Sequence, residues 1–547
     1  MREFVAHVRT VIAATTFVLG VSVAAPSAAG QVVPHLDLGG DVEVAGEAER
    51  YLRVLQLTGS VPLLPWTVLP FAGEAIQRVA PMGAHPWDAR FPTRDSTRAI
   101  HWLRPTAVST VNSAFPMQDA VGPMWSGRGV NLSVQAGVSA RWGRLRAQFA
   151  PIAFVSQNVA FPLAPNLQVG DAQFRDARFP TSIDLPQRFG ASSYSRVDLG
   201  SSTIALDLRG VSLGVSTAPQ RWGPAREYPL LLGPGAGGFP HAFIGTGLPV
   251  DLKIARVQAR LLVGSLSQSQ FSPALPERAG RVASAAIIGV TPGGVDGLEV
   301  GFARFFESTD PLSLMHVLRP LDPRALVGAV GNPAADVNIP NENQTAAAFF
   351  RWAVPDGRVE AYGELYREDF PGDLRKLILK PDDLTSFTLG FQRVFTVTPT
   401  QRRLVRIELV DGELSHQERG QRGADRPIPP YLHFQVVQGH TQRGLLLGSP
   451  EAFGGSGWRV AVDDYTPRGR VTVGIERALR FDWLPGDSVP ATNVHPDVLY
   501  ALRLEMLRFA GRRDYTLMLV PAIDLNRDLR PGADQFNLHA GVRVTGW

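Results

Sequence analysis

The residue types best suited to chemistry fall in one segment, Arg221-Trp222-Gly223-Pro224 followed by Arg226-Glu227-Tyr228. An indole and a phenol offer apolar faces on which the C–H face of a sugar stacks, while neighbouring guanidinium and carboxylate groups hydrogen-bond its hydroxyls. Arg221, Trp222, Arg226, Glu227 and Tyr228 are therefore the glycan-binding candidates. The same residue types also suit an aromatic belt at a membrane interface beside a loop-packing arginine, and spacing alone leaves both readings open.

Other motifs point away from catalysis. Gly233-Pro234-Gly235-Ala236-Gly237-Gly238 spells the dinucleotide fingerprint, but that motif holds a pyrophosphate only where it opens a helix after a strand. Pro240 follows two residues later, with no βαβ pattern around it, so the string reads as a compact glycine-rich loop. Asp382-Asp383 and Asp463-Asp464 are sequence neighbours; in extended chain neighbours point to opposite sides, so neither pair is the facing acid and base of a glycosidase. Solvated loop charge or the rim of a calcium site is the expectation for them. The histidines are scattered, with no His-Glu-x-x-His zinc motif and no Gly-x-Ser-x-Gly nucleophile elbow. With no cysteine there is no disulfide framework, thiolate metal site or lipid-modified cysteine. The expectation is a non-enzymatic chain without a cofactor. A net charge of +4 spread over 547 residues leaves no nucleic-acid footprint.

The elements that must carry these residues are strands. Val130, Leu132, Val134, Ala136, Val138 and Ala140 share one face of an extended segment, with Asn131, Ser133, Gln135, Gly137 and Ser139 on the other. After a turn at Arg141 to Gly143 the pattern resumes with Leu145, Ala147 and Phe149. A sheet with lipid on one face and a polar lumen on the other must alternate in this way. Tight reversals are expected at Arg209-Gly210, near Ala255-Arg256, at Pro292 to Gly297, at Pro355 to Arg358, near Pro399, at Pro467 to Arg470 and at Gly511 to Asp514, where Gly, Pro and Asp supply the required backbone angles. Between these hairpins lie long connections, roughly 158–200, 218–247, 267–281, 307–344, 368–383, 412–456, 479–497 and 524–534. Short turns on one side and long loops on the other are the layout of an outer-membrane barrel. Counting from a weak first strand near Pro105 to Ser113 to the last, Gln535 to Trp547, gives about 18 strands under that rule. A secreted β-sandwich or β-helix also alternates, but seldom separates short and long connections so regularly.

Residues 1–30 read as a signal peptide: Arg2 and Arg9 precede an apolar stretch from Val11 to Ala25 and small residues up to Gly30. Residues 31–100 are expected to form a small periplasmic helical region, with helices over Glu43 to Leu57 and Phe71 to Val79, and 101–547 the barrel. Tyr228 to Val250 is uncharged over much of its length, but its glycines and prolines exclude a membrane helix. Trp547 ends the chain one residue out of phase with the apolar face of Phe536, Leu538, Ala540, Val542 and Val544, so either a bulge shifts it or the terminal signal is atypical.

Several short blocks, in order, resemble the Wzi-type capsule-assembly proteins of the bacterial outer membrane. They are Trp125 to Gly129, the Arg221 to Pro224 turn with Leu230-Leu231 and Phe239-Pro240, Asn343-Gln344 leading to Phe349 to Trp352, Glu364 to Asp369, and His440 to Gly448. The resemblance implies a barrel of about 18 strands with a small periplasmic helical part, acting as a lectin that holds capsular polysaccharide at the cell surface. It further implies long loops outside the cell, both termini in the periplasm, and as partners capsular or exopolysaccharide, outer-membrane lipid and the barrel-assembly machinery. Gly233 to Gly238 replaces a polar stretch usual in the family, which bears on glycan specificity. The alternative is an outer-membrane porin or channel for small solutes, with the same alternation around an open lumen.

Overall fold

A computed structural model describes residues 41–72, 81–91, 100–118, 122–322, 341–368, 378–379, 381–382, 384–414, 429–481 and 495–546. Eighteen antiparallel strands close into a barrel. They are β1 Ile100–Asn112, β2 Gly129–Trp142, β3 Leu145–Phe149 continued by Ile152–Ser156, β4 Tyr194–Asp198 continued by Thr203–Leu208, β5 Val211–Ser216, β6 His241–Thr246 continued by Val250–Asp251, β7 Ala255–Ser267, β8 Gly280–Pro292 and β9 Leu298–Ser308. The second half comprises β10 Glu342–Val354, β11 Val359–Glu368, β12 Thr385–Thr398, β13 Gln401–Asp411, β14 Ser456–Thr466, β15 Gly469–Phe481, β16 Asp497–Ala510, β17 Arg513–Leu525 and β18 Gln535–Thr545. β18 pairs with β1 and removes both sheet edges.

The hairpin turns fall where glycine, proline and aspartate mark them; the reversal expected near Ala255 lies just before it, at 252–254. β1 begins at Ile100, earlier than expected, because Pro105, which has no N–H to donate, sits inside a register shift between Leu103 and Thr106 and is absorbed there. The break in β3 falls on Ala150-Pro151 for the same reason. Opposite it Gly200, at φ +57°, lies so close that a Cβ would come within 2.3 Å of the Ala150 carbonyl oxygen.

The alternation sorts residues as the sequence implies. In β2, Val134 is 48% exposed on the outer wall while Asn131 is fully buried inside. Ile204, Ile288, Phe350, Leu389, Ile407, Val473 and Leu519 continue the exposed apolar band, and Trp102, Trp142 and Trp352 stand exposed toward the short-turn end. That is an apolar belt with an aromatic girdle.

The N-terminal segment packs against the inside of this wall. One helix, α1 (Glu47–Leu57), lies inside the barrel, with Tyr51 to Leu57 all buried. It starts at Glu47 rather than Glu43 because Ala45 takes a positive φ and Gly46 is extended, so helical geometry cannot extend further back. Its apolar residues pack with Trp66 and Trp87 against Ala353, Val394, Leu404, Tyr465 and Leu507 of the wall, near the short turns. Tyr51 stacks on Trp87 at 4.1 Å between ring centroids. The second expected helix is corrected at its start. Phe71–Ala72 is a strand paired with Asp41–Val42, because an apolar run this short is shared between helix and strand patterns and pairing decides it. The rest of that run, residues 1–30, expected to be a signal peptide, and Trp547 lie outside the described residues.

Val134→Arg places a charge on the lipid face near mid-strand and is expected to destabilise the barrel by about 2–4 kcal/mol. Gln135→Arg, on the lumen side, is expected to be tolerated. Folded yield judged by heat-modifiable gel mobility checks both; equal yields would remove the assigned lipid face.

Candidate functional site

The segment 217–240 turns into the barrel instead of out of it. Arg221–Trp222 pairs with Val68–Leu69 of the N-terminal segment, and the Leu230 to Leu232 run is buried in a core with Phe239, Phe271, Phe305, Tyr366, Tyr431 and Leu445 to Leu447. Other connections contribute to that core through Trp125, Phe174 to Phe189, Phe271 and Tyr431 to Phe453. The long-loop half of the lumen is thus filled by packed side chains.

Inward-facing carboxylates hold this filling. On β11 the lumen face reads Glu360, Tyr362, Glu364, Tyr366, Glu368, and all five are buried. Glu360 binds Arg53 of α1 at 2.8 Å and Arg351 at 2.6 Å. Glu364 accepts the backbone N–H groups of Ala225 and Leu230 at 2.8 and 3.0 Å. Glu368 accepts the N–H of Tyr431 at 2.9 Å and the Asn343 amide at 2.8 Å. On β13, Glu408 accepts the N–H groups of Arg226, Glu227 and Tyr228 at 3.1, 2.9 and 2.7 Å. Backbone donors of a turn, left without ladder partners, are satisfied by charge-assisted bonds. Gly223, at φ +124°, lets the chain press against Glu364, where a Cβ would come within 2.2 Å of the carboxylate.

The five sequence candidates divide. Arg221, Trp222 and Tyr228 are at most 3% exposed: Arg221 is paired with Glu49 of α1 at 2.5 Å, Trp222 lies in the inner core, and the Tyr228 carbonyl accepts from the Thr388 hydroxyl at 2.8 Å. Arg226 and Glu227 are half-buried and line a cavity of about 110 Å³ at mid-lumen. Arg226 donates to Gln392 at 2.7 Å, and Glu227 is clasped between Arg406 and Arg459. Burial alone would raise the Glu227 carboxyl, but the Arg459 and Arg406 guanidiniums outweigh it and hold it well below the ordinary carboxylate range. Seven arginines and three glutamates line this cavity, so its wall carries an excess of positive charge. A second cavity of about 360 Å³ shares Arg50, Thr110 and Arg543 with it and follows the inner wall past Arg104 and Thr545 near the short turns.

The remaining motifs also find places. Pro234–Ala236 is one turn of 3₁₀ helix, buried in the lumen, and opens no nucleotide-binding helix. Asp463 and Asp464 point to opposite sides: Asp463 bonds Arg406 at 2.9 Å inside, Asp464 bonds Arg403 at 2.9 Å outside. Asp383 lies outside the described residues. No group of three or more metal-ligating side chains occurs among the described residues. Sequence reasoning missed Glu360, Glu368, Glu408, Arg406 and Arg459 as lumen residues. The Glu-Tyr-Glu-Tyr-Glu alternation of β11 was the available signal.

No protein-family model matches the chain, and no curated protein matches it in sequence. Its fold is that of Wzi, described as an outer membrane protein involved in group 1 capsule assembly in Escherichia coli and a carbohydrate-binding β-barrel. The two superpose with a TM-score of 0.60 at 15% identity, over 94% of this chain and 99% of the other. OccAB4 of Acinetobacter baumannii gives a TM-score of 0.37 at 10% identity, over 82% of this chain and 98% of that one. OccK8 (OprE) of Pseudomonas aeruginosa gives 0.38 at 8%, over 81% and 96%.

Glu364→Ala leaves the Ala225 and Leu230 N–H groups buried without acceptors, at a cost of about 1–3 kcal/mol each. The expected result is protease cleavage within 217–240 of a barrel that keeps its heat-modifiable mobility; full resistance would mean that the carboxylate does not hold the segment. Because the folded Glu227 value is depressed, its stabilising contribution is complete above the unfolded value of about 4.3 and is lost as pH falls through the folded value. The protection that the native chain has over Glu227→Gln should therefore be constant from neutral pH down to that unfolded value and shrink only below it.

Proposed function

We propose that the protein is a non-enzymatic outer-membrane barrel that binds capsular or related polysaccharide and holds it at the cell surface, with the long loops outside and both termini in the periplasm. The observation that carries this reading is the packed long-loop half of the lumen. There, two inward segments and α1 are tied to the wall by buried carboxylates, and Phe174 to Phe189 pack on them. A protein built to pass solutes leaves its lumen open, whereas one that presents a fixed surface to a long polymer gains from loops that are ordered before binding. The fold held in common with a carbohydrate-binding barrel supports the same reading.

In this reading Arg221, Trp222 and Tyr228 are positioning residues, because each is buried in the loop packing. Arg226 and Glu227, at the cavity beneath the packed segments, are the candidates left for polar ligand contact. A solute pathway is the second reading, and the wall cavity running from the short turns to Met124 and Pro234 favours it.

The two readings part on one variant. Trp222→Ala removes a buried indole and is expected to loosen the inward segment by about 3–5 kcal/mol while sparing every spanning strand. Native protein should retain polysaccharide and pass no steady current in planar bilayers; the variant should conduct and retain less. Steady conductance by the native chain, together with no binding on a glycan array, would replace polysaccharide binding by the pore.

A further inference from the structure

On β9 the odd-numbered residues face the lumen, Phe305 meeting His440 and Glu307 meeting Arg281. Arg304 and Phe306 therefore point outward, toward lipid. Both are nonetheless buried, at 4% and 2% exposure, as is the outward Ser284 beside them on β8. What covers them is the start of the connection between β9 and β10. After Ser308 the chain folds back over the outside of the wall, forms a short helix α2 (Leu314–Leu318) and the turn Arg319–Leu321, and packs on β7, β8 and β9. The Pro320 and Asp322 carbonyls accept from the Arg304 guanidinium at 3.3 and 2.9 Å. Arg319 lies over the Phe306 ring and donates to Glu342, an outward residue of β10, at 2.9 Å.

Arg304 sits four residues inside the end of β9, roughly 13 Å along the strand at about 3.3 Å per residue. Wherever lipid reaches this level of the wall, a bare guanidinium faces hydrocarbon and its donors find no water. The strap supplies the missing acceptors, but doing so brings the strap itself into the same depth of the membrane. Its outer face is apolar as that position demands: Leu312, Leu314, Met315, Leu318 and Leu321 are 63, 71, 61, 47 and 57% exposed. The polar groups of its first turn are closed internally, since His316 Nδ1 accepts from the Ser313 N–H at 3.1 Å and contacts the Ser313 hydroxyl at 2.9 Å. The exposed leucines also continue the apolar belt that Ile288 begins lower on β8.

The geometry points to residues 311–322 as a membrane-inserted strap, an extension of a long loop that lies in the leaflet on the long-loop side with its leucine face against lipid acyl chains. Its partner is the lipid itself. The strap seals the outward Arg304 from hydrocarbon and enlarges the lipid-contacting perimeter of β7–β9, a role independent of any polysaccharide.

The absence of native cysteine makes a direct test available. Met315→Cys, Leu318→Cys and, as references, Val134→Cys on the lipid wall and Leu167→Cys in a long loop (98% exposed) are each labelled with an environment-sensitive fluorophore in phosphatidylcholine vesicles. Only protein with heat-modifiable mobility is measured. The labels at 315 and 318 should behave like that at 134, quenched several-fold more by lipids carrying a nitroxide on the acyl chain than by aqueous iodide, and the label at 167 should show the reverse. Iodide quenching at 315 and 318 equal to that at 167 would falsify membrane insertion of the strap. If the cysteine variants fold poorly, Met315→Arg is the second measurement: a charge on the strap's exposed face should lower folded yield in the vesicles as Val134→Arg does, and a yield equal to that of the native chain would overturn insertion of the strap.

Discussion

The alternating Glu-Tyr-Glu-Tyr-Glu face of β11 is the interaction on which the interior depends. Five consecutive inward positions on one strand are buried, and each of the three carboxylates takes a different piece of chain. Glu360 takes α1 through Arg53, Glu364 the turn of 225–230, and Glu368 the segment at Tyr431. The order along the strand, from the short turns to the long loops, is the order in which those pieces stack along the barrel axis. Burying a carboxylate without partners is prohibitive, and breaking one buried pair costs about 3–5 kcal/mol because the other charge is stranded. The lumen therefore packs as a unit. Arg53 shows the coupling directly, joining Glu360, Glu49 and the Pro224 carbonyl, so that the wall, α1 and the inward segment meet at one guanidinium.

Filling a barrel in this way leaves an asymmetric interior. Against β7–β13 the packing is dense and partly apolar, with Leu230 to Leu232 and the aromatic residues of the long loops excluding water. Against β1 and β16–β18 two adjoining cavities remain, lined by arginines and small polar residues. The Arg406–Glu227–Arg459 unit stands at the boundary between the two regimes. In the proposed role the filled half holds the loops in one shape, and the cavity beside it is the place for hydrated ligand groups.

The outer surface obeys a different rule. Where the wall is regular, apolar side chains meet lipid. At Arg304, where a charged residue interrupts it, the chain supplies its own cover and transfers the requirement for apolarity to the strap. Desolvation of backbone and guanidinium groups thus governs both sides of the barrel: inside it recruits carboxylates, outside it recruits a loop.

Much of this was legible from residue order. Alternation with period two identifies which side chains share a face, and glycine, proline and aspartate mark the tight reversals. The strand number, the turn positions and the two-sided character of β2 and β18 therefore follow from the chain alone, as does the opposite pointing of Asp463 and Asp464. Helix α1 was visible by its spacing, though not its start, which a positive φ at Ala45 decides. Periodicity says nothing about where a long connection goes once it leaves the wall. Trp222 and its neighbours have the composition of a sugar-binding loop, and only the carboxylates of β11 and β13, about 140 to 180 residues away in sequence, draw that segment inward and bury the indole. Likewise Arg304 reads as one more alternating residue until the strap is seen to cover it. Local order encodes the face a residue occupies; the partner that waits on that face is set by closure of the barrel, which brings distant strands and loops to a common axis.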